Sequence, residues 1–162
     1  MSFANDDFSF LYNFITGGEG QAQSNKKTVH EVNTQYQLSE SFAIAANIVM
    51  GKEDLGSGTV DKEWNAYLVY LNWQMSQDWA ATLRYEMFQD GTATTGSTFF
   101  FGTTPEDVQS ITLTTSKMLD KNSQLRFEAR MDSTDKQVFD GERGASTEKD
   151  RTTLSFAWLA NF

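Results

Sequence analysis

Charged residues at alternate positions are the part of this sequence with chemical potential. Arg84 and Glu86 form one such pair, and Arg126, Glu128, Arg130 and Asp132 form a longer run. A spacing of two puts side chains on one face of a β-strand, and Glu31 falls on the equivalent parity of an earlier segment. Two roles suit such a face. Opposite charges can pair and fill an interior, because an unpaired ion there is costly. Alternatively, they can stay open as a charged constriction that selects ions. Catalysis finds less to work with. The only histidine, His30, lies on the opposite, apolar parity near a loop and reads as a surface or interface residue. There is no Gly-x-Ser-x-Gly elbow and no phosphate-binding loop, and with no cysteine there is neither disulfide nor thiolate metal site. Asp132-Ser133-Thr134-Asp135 and Lys52-Glu53-Asp54 lack the ligand order of a calcium loop. They read as solvated charge, and no metal or cofactor is expected.

The elements that must hold these residues show period-two alternation throughout. Eight strands are predicted: 7–16, 27–38, 42–50, 63–75, 79–89, 107–119, 123–132 and 152–162. One parity is apolar, as in Phe8, Phe10, Tyr12 and Phe14, or Trp79, Ala81, Leu83, Tyr85 and Met87. The other is small or polar, and in the sixth strand it offers only Ser and Thr. Those small side chains leave room for Arg and Glu of the fifth and seventh strands to meet across it. The parity of the fourth strand is the least distinct, because both sides carry large groups. The connections alternate strictly between long and short, the pattern of a membrane barrel with long extracellular loops and short periplasmic turns. Phe8, Tyr36, Phe42, Trp73 and Trp79 fall at the short-turn ends and predict an interfacial girdle there.

Composition sets limits. The chain has 162 residues, enough for a single domain over 1–162. Thirteen Lys and Arg against 22 Asp and Glu give a net charge of -9, which argues against nucleic acid as a partner. A helical membrane protein needs runs of about 20 apolar residues, and none exists here. The mean hydropathy is -0.49, yet a barrel escapes that index because only alternate residues face lipid. A soluble antiparallel barrel or sandwich would share the alternation but not the loop pattern. No leader is recognisable in Met1–Asp7, so an outer-membrane location implies that one was removed.

The last strand ends Leu154-Ser155-Phe156-Ala157-Trp158-Leu159-Ala160-Asn161-Phe162. It resembles the closing strand of Gram-negative outer-membrane barrels. That resemblance makes Phe156, Trp158 and Phe162 the expected signal for the outer-membrane assembly machinery. Arg84-Tyr85-Glu86-Met87-Phe88-Gln89-Asp90-Gly91, then Ile111-Thr112-Leu113, then Leu125-Arg126-Phe127-Glu128-Ala129-Arg130-Met131-Asp132-Ser133 resemble the C-terminal portion of the OmpL-like β-barrel porin family. Asn13-Phe14-Ile15-Thr16-Gly17 is similar to it as well. The resemblance implies an outer-membrane barrel and a porin role.

The sequence thus predicts an all-β, eight-stranded antiparallel up-and-down transmembrane β-barrel of the bacterial outer membrane, monomeric and in contact with membrane lipid. Its lumen, with Glu31, Arg84, Glu86, Arg126, Glu128, Arg130 and Asp132, is expected to be filled by paired side chains. The role is expected to be non-enzymatic, in the envelope or in interactions. Phe99, Phe100 and Phe101 are candidates for contact with an extracellular partner. A porin-like passive channel for ions or small solutes is the alternative, and a small-barrel enzyme is the least favoured reading.

Overall fold

The computed structural model describes residues 1–19, 25–55, 61–91, 106–140 and 146–160. Phe99, Phe100, Phe101 and Phe162 lie outside them. The described chain is all β, with eleven strands: β1 (Ser2–Ala4), β2 (Phe8–Glu19), β3 (Asn25–Gln37), β4 (Phe42–Asp54), β5 (Lys62–Gln74), β6 (Trp79–Asp90), β7 (Glu106–Asp120), β8 (Ser123–Thr134), β9 (Phe139–Asp140), β10 (Ser146–Glu148) and β11 (Asp150–Ala160). One sheet takes nine of them in sequence order, from β1 through β8 to β11, all antiparallel. β9 and β10 form a separate small hairpin.

The alternation read from the sequence survives in the register. Ile44 faces Leu71, Leu71 faces Leu83, Leu83 faces Leu113, Leu113 faces Ala129, and Ala129 faces Leu154. A slip of one residue in any ladder would break this apolar row, because every side chain beyond it would change face. The outer face is largely exposed, including Ile48, Val69, Tyr85, Ile111, Phe127 and Phe156. Burial lies on the opposite face, at Ser110, Thr112 and Asp132. In water this arrangement would be inside out.

Two expectations need correction. The sheet has nine strands rather than eight, and among the described residues no ladder joins β11 to β2, so it is not closed. The reason lies at the chain start. Phe3 pairs with Phe10, the Tyr12 amide donates to the Met1 carbonyl at 2.8 Å, and the Asn5 carboxamide oxygen accepts from the Phe8 amide at 2.7 Å. A tight turn thereby lays Ser2–Ala4 along the edge of β2 that the last strand would otherwise occupy. Strands also run past their predicted ends, because cross-strand charge continues the ladder above the apolar band. Lys52, opposite Glu63, meets Asp61 at 2.6 Å and Glu63 at 3.6 Å.

The short turns carry a repeated device. In Gln37-Leu38-Ser39-Glu40-Ser41-Phe42, the Gln37 amide donates to the Ser39 carbonyl at 2.6 Å, and Ser39 Oγ accepts from the Phe42 amide at 3.2 Å. In Gln74-Met75-Ser76-Gln77-Asp78-Trp79 the same offsets recur, at 2.5 Å and 3.2 Å. Each turn is locked by side chains and delivers an aromatic residue to the start of the next strand. Gly91, at φ 95°, ends β6 in a conformation that favours glycine, and its amide bonds Glu63 at 2.9 Å.

Candidate functional site

The inner face of β6, β7, β8 and β11 carries a band of ions. Cross-strand pairing sets Glu86, Ser110, Asp132 and Arg151 in one row. Arg84, Thr112 and Arg130 form the next row toward the short turns. Arg130 reaches between rows. Its Nη1 meets Glu86 Oε2 at 2.6 Å, Nε meets Asp132 Oδ1 at 2.7 Å, and Nη2 donates to Ser110 Oγ at 2.9 Å. Ser110 in turn donates to Asp132 Oδ1 at 2.6 Å. Arg84 shares the same Glu86 oxygen at 3.0 Å and lies 3.4 Å from Thr112 Oγ1. Arg151 completes the band on Asp132 Oδ2 at 3.1 Å.

Solvent access varies along this band. The Asp132 side chain is 2% exposed, whereas those of Glu86, Arg84 and Arg130 keep 21%, 27% and 30%. The ion pairs therefore lie on a wall that water still reaches in part. The β9–β10 hairpin folds over one end, with Phe139 buried and the Arg151 guanidinium 4.9 Å from its ring centroid. A cavity of about 340 Å³ lies between Phe139, Phe88, Glu86, Arg130 and Asp132.

Not every predicted member joins. Glu128 accepts from Thr114 at 2.9 Å rather than from an arginine. Arg126 is exposed and makes no ion pair with a described residue. Glu31 stands apart on β3, where Asn13 and Asn47 each donate to one of its oxygens at 2.9 Å. Arg151, Ser110 and Phe139 were not predicted. Arg151 precedes the predicted last strand by one residue, and the signal for it was the Arg151, Thr153, Ser155 parity. Ser110 was visible only as a small residue that makes room, although its hydroxyl also bonds both Arg130 and Asp132.

The outer residues fall where alternation put them. Phe42 stacks on Trp73 at 5.6 Å, Phe8 faces Tyr36, and Lys117 lies 5.1 Å over Trp79. These aromatics line the short-turn end. Phe156 meets Phe127 at 4.8 Å, and Trp158 is exposed on the same face. His30 lies between rings, its Nδ1 2.8 Å from the Tyr12 hydroxyl and its ring 5.0 Å from Phe14. The acidic loop residues group with no metal-ligating set among the described residues, and Asp132 is committed to arginines.

An antiparallel meander with an apolar outer face and an ionic inner face defines the class of β-barrel porin-like proteins. Over residues 2–162 the chain matches the family described as "Putative beta-barrel porin-2, OmpL-like", and it belongs to that family. No curated protein and no solved structure matches it.

Proposed function

We propose that this chain forms the wall of a non-enzymatic, porin-like passive channel in the bacterial outer membrane. Its eight long strands cross the bilayer, with the apolar parity on lipid and the polar parity on water. The observation that carries this reading is the inversion of faces. Large apolar side chains are exposed along every long strand, while ion pairs occupy the opposite face. Strands of 11 to 15 residues suffice to span at a tilt. The partial exposure of Glu86, Arg84 and Arg130 favours a wetted wall over a packed filling.

Width is the physical difficulty. A closed barrel of eight strands has room for little but its own side chains. The channel reading therefore includes assembly of chains through β11 and the part of β2 that β1 leaves uncovered, into a wider barrel. The filled-lumen reading keeps one specific support, the direct Arg130–Glu86 and Arg130–Asp132 contacts, and it goes with a closed monomer. Planar-bilayer recording of refolded protein separates the two. Steady, reproducible conductance in salt is expected. A protein that inserts and shows heat-dependent gel mobility yet never conducts would refute the channel.

A further inference from the structure

Away from the ion band, the inner face of β3, β4 and β5 has a different chemistry. The row Ser9, Gln35, Ala45, Tyr70 runs across the sheet. Asn33 and Asn47 flank it on the loop side, and Gln37, Ala43 and Asn72 on the turn side. Two alanines side by side on β4 leave a hollow, with carboxamides and one phenol ring on one side and Phe3, Ala4, Phe10 and Leu11 of β1 and β2 on the other. The corresponding cavity measures about 700 Å³ and is lined by Asn33, Gln35, Ala45, Asn47, Tyr70 and Asn72, among others. This is within the usual size range of a small-molecule pocket.

We propose that this hollow is a binding subsite for an uncharged polyhydroxylated solute, a neutral saccharide of two or three rings. The claim rests on the channel reading for its position on the water path. A carboxamide offers two donors and an acceptor without net charge. No charged side chain lines the hollow, and the nearby Glu31, a carboxylate that accepts from Asn13 and Asn47, disfavours an anion. An apolar solute would leave the amides unpaired, at a cost for each buried group. A chain of hydroxyls matches donors and acceptors together, and the Tyr70 ring supplies a flat apolar surface with a polar tip. Capacity remains for it. Gln35 makes no side-chain hydrogen bond with a described residue, and Asn72 uses only its carbonyl oxygen, which accepts from Thr82 at 2.8 Å. Arg84, opposite Tyr70, marks where the neutral zone gives way to the ionic one.

The test uses the full chain refolded in detergent, with maltotriose as probe and citrate as charged control. Saturation-transfer NMR should show maltotriose binding in the millimolar range and none for citrate. Gln35→Leu and Asn72→Leu should each weaken it about tenfold, while Arg126→Gln, outside the hollow, should not. Heat-dependent gel mobility identifies the folded variants, and either one suffices. Absence of maltotriose binding by the wild type, or equal binding by the leucine variants, overturns the subsite. Salt conductance measured on the same preparation is a separate readout. A conducting protein indifferent to maltotriose loses the subsite and keeps the channel. A protein that binds the sugar but does not conduct keeps the subsite and loses the channel.

Discussion

Glu86→Gln is the most informative single change, because one carboxylate oxygen serves two guanidinium groups. Arg130 lies 2.6 Å and Arg84 3.0 Å from Glu86 Oε2. Arg130 has other acceptors in Asp132 and Ser110. Arg84 is left with Thr112 at 3.4 Å, and its Nε is already buried without a partner. Breaking a fully buried pair costs about 3–5 kcal/mol. Here 21–30% of the side-chain surface is exposed, water recovers part of the loss, and the new amide still accepts a bond. The expected destabilisation is about 2 kcal/mol, near the value of one charged hydrogen bond. Adding Arg84→Gln should cost less than the sum of the singles by about 1 kcal/mol. Arg126→Gln, at an exposed arginine that makes no ion pair with a described residue, should stay within about 0.5 kcal/mol of wild type. Urea midpoints in detergent micelles, followed by tryptophan fluorescence, measure all four proteins. Strict additivity of Glu86→Gln and Arg84→Gln, or an Arg126→Gln effect as large as theirs, would refute the pairing argument.

Other expectations follow from single contacts. Leu83→Arg puts a cation in the middle of the outer apolar row, where Leu83 is 47% exposed, and a lipid-facing arginine near the midplane costs about 2–4 kcal/mol. Insertion into lipid vesicles at wild-type yield and stability would contradict the face assignment. Gly51 faces Trp64, whose indole occupies the space a Cβ would take. Gly51→Ala should displace that buried ring at about 1–3 kcal/mol, visible as a red-shifted tryptophan emission. Asp120 is held below its ordinary value of 3.8 by the Ser123 hydroxyl and the Asn122 amide. Its contribution to the turn is thus present above about pH 4 and lost as pH falls through the lower folded value. Asp120→Asn should unfold earlier than wild type at neutral pH and match it in strong acid, and a gap that persists in acid would count against that origin.

What could be read from the sequence follows from what each face must satisfy. The outer parity obeys one rule, that its side chains be apolar, so Leu71, Leu83, Leu113 and Phe127 could be placed by alternation alone, and the ladders keep them in one register. The inner parity obeys no such rule. There, contacts depend on which row a residue occupies, and row depends on stagger between strands, which hydropathy does not encode. Arg130 and Glu86 meet across the Ser/Thr strand. Glu128, two residues away, was grouped with them and instead sits one row lower against Thr114. Glu31 shares the parity but lies three strands from the nearest arginine of the band, Arg84. The amide hollow was invisible for a related reason. Asn33, Gln35, Asn47 and Asn72 are spread over three strands and carry no charge to draw attention. The ninth strand was missed because Ser2–Ala4 is too short to show a period.

The open edge gives the sharpest remaining test. β11 presents a side of 11 residues without a ladder partner among the described residues, and β2 is covered only where β1 reaches. Unpaired backbone groups are not tolerated in hydrocarbon, so in a membrane these edges must pair. β2 and β11 run antiparallel, and beyond the reach of β1 a ladder with Asn13 opposite Ser155 brings Ile15 opposite Thr153, both exposed on the inner parity. If chains assemble into a wider barrel, that ladder forms between two copies. If the lumen is filled, it forms within one. The chain has no cysteine, so Ile15→Cys with Thr153→Cys creates a single addressable pair. A short flexible bis-maleimide tolerates the stagger that a direct disulfide would not. Cross-linking in lipid vesicles should give a band of twice the monomer mass, and mixing the two single variants should give it as well. A cross-linked monomer from the double variant, with nothing from the mixture, would close the barrel on itself and remove the channel, since eight strands leave no water path.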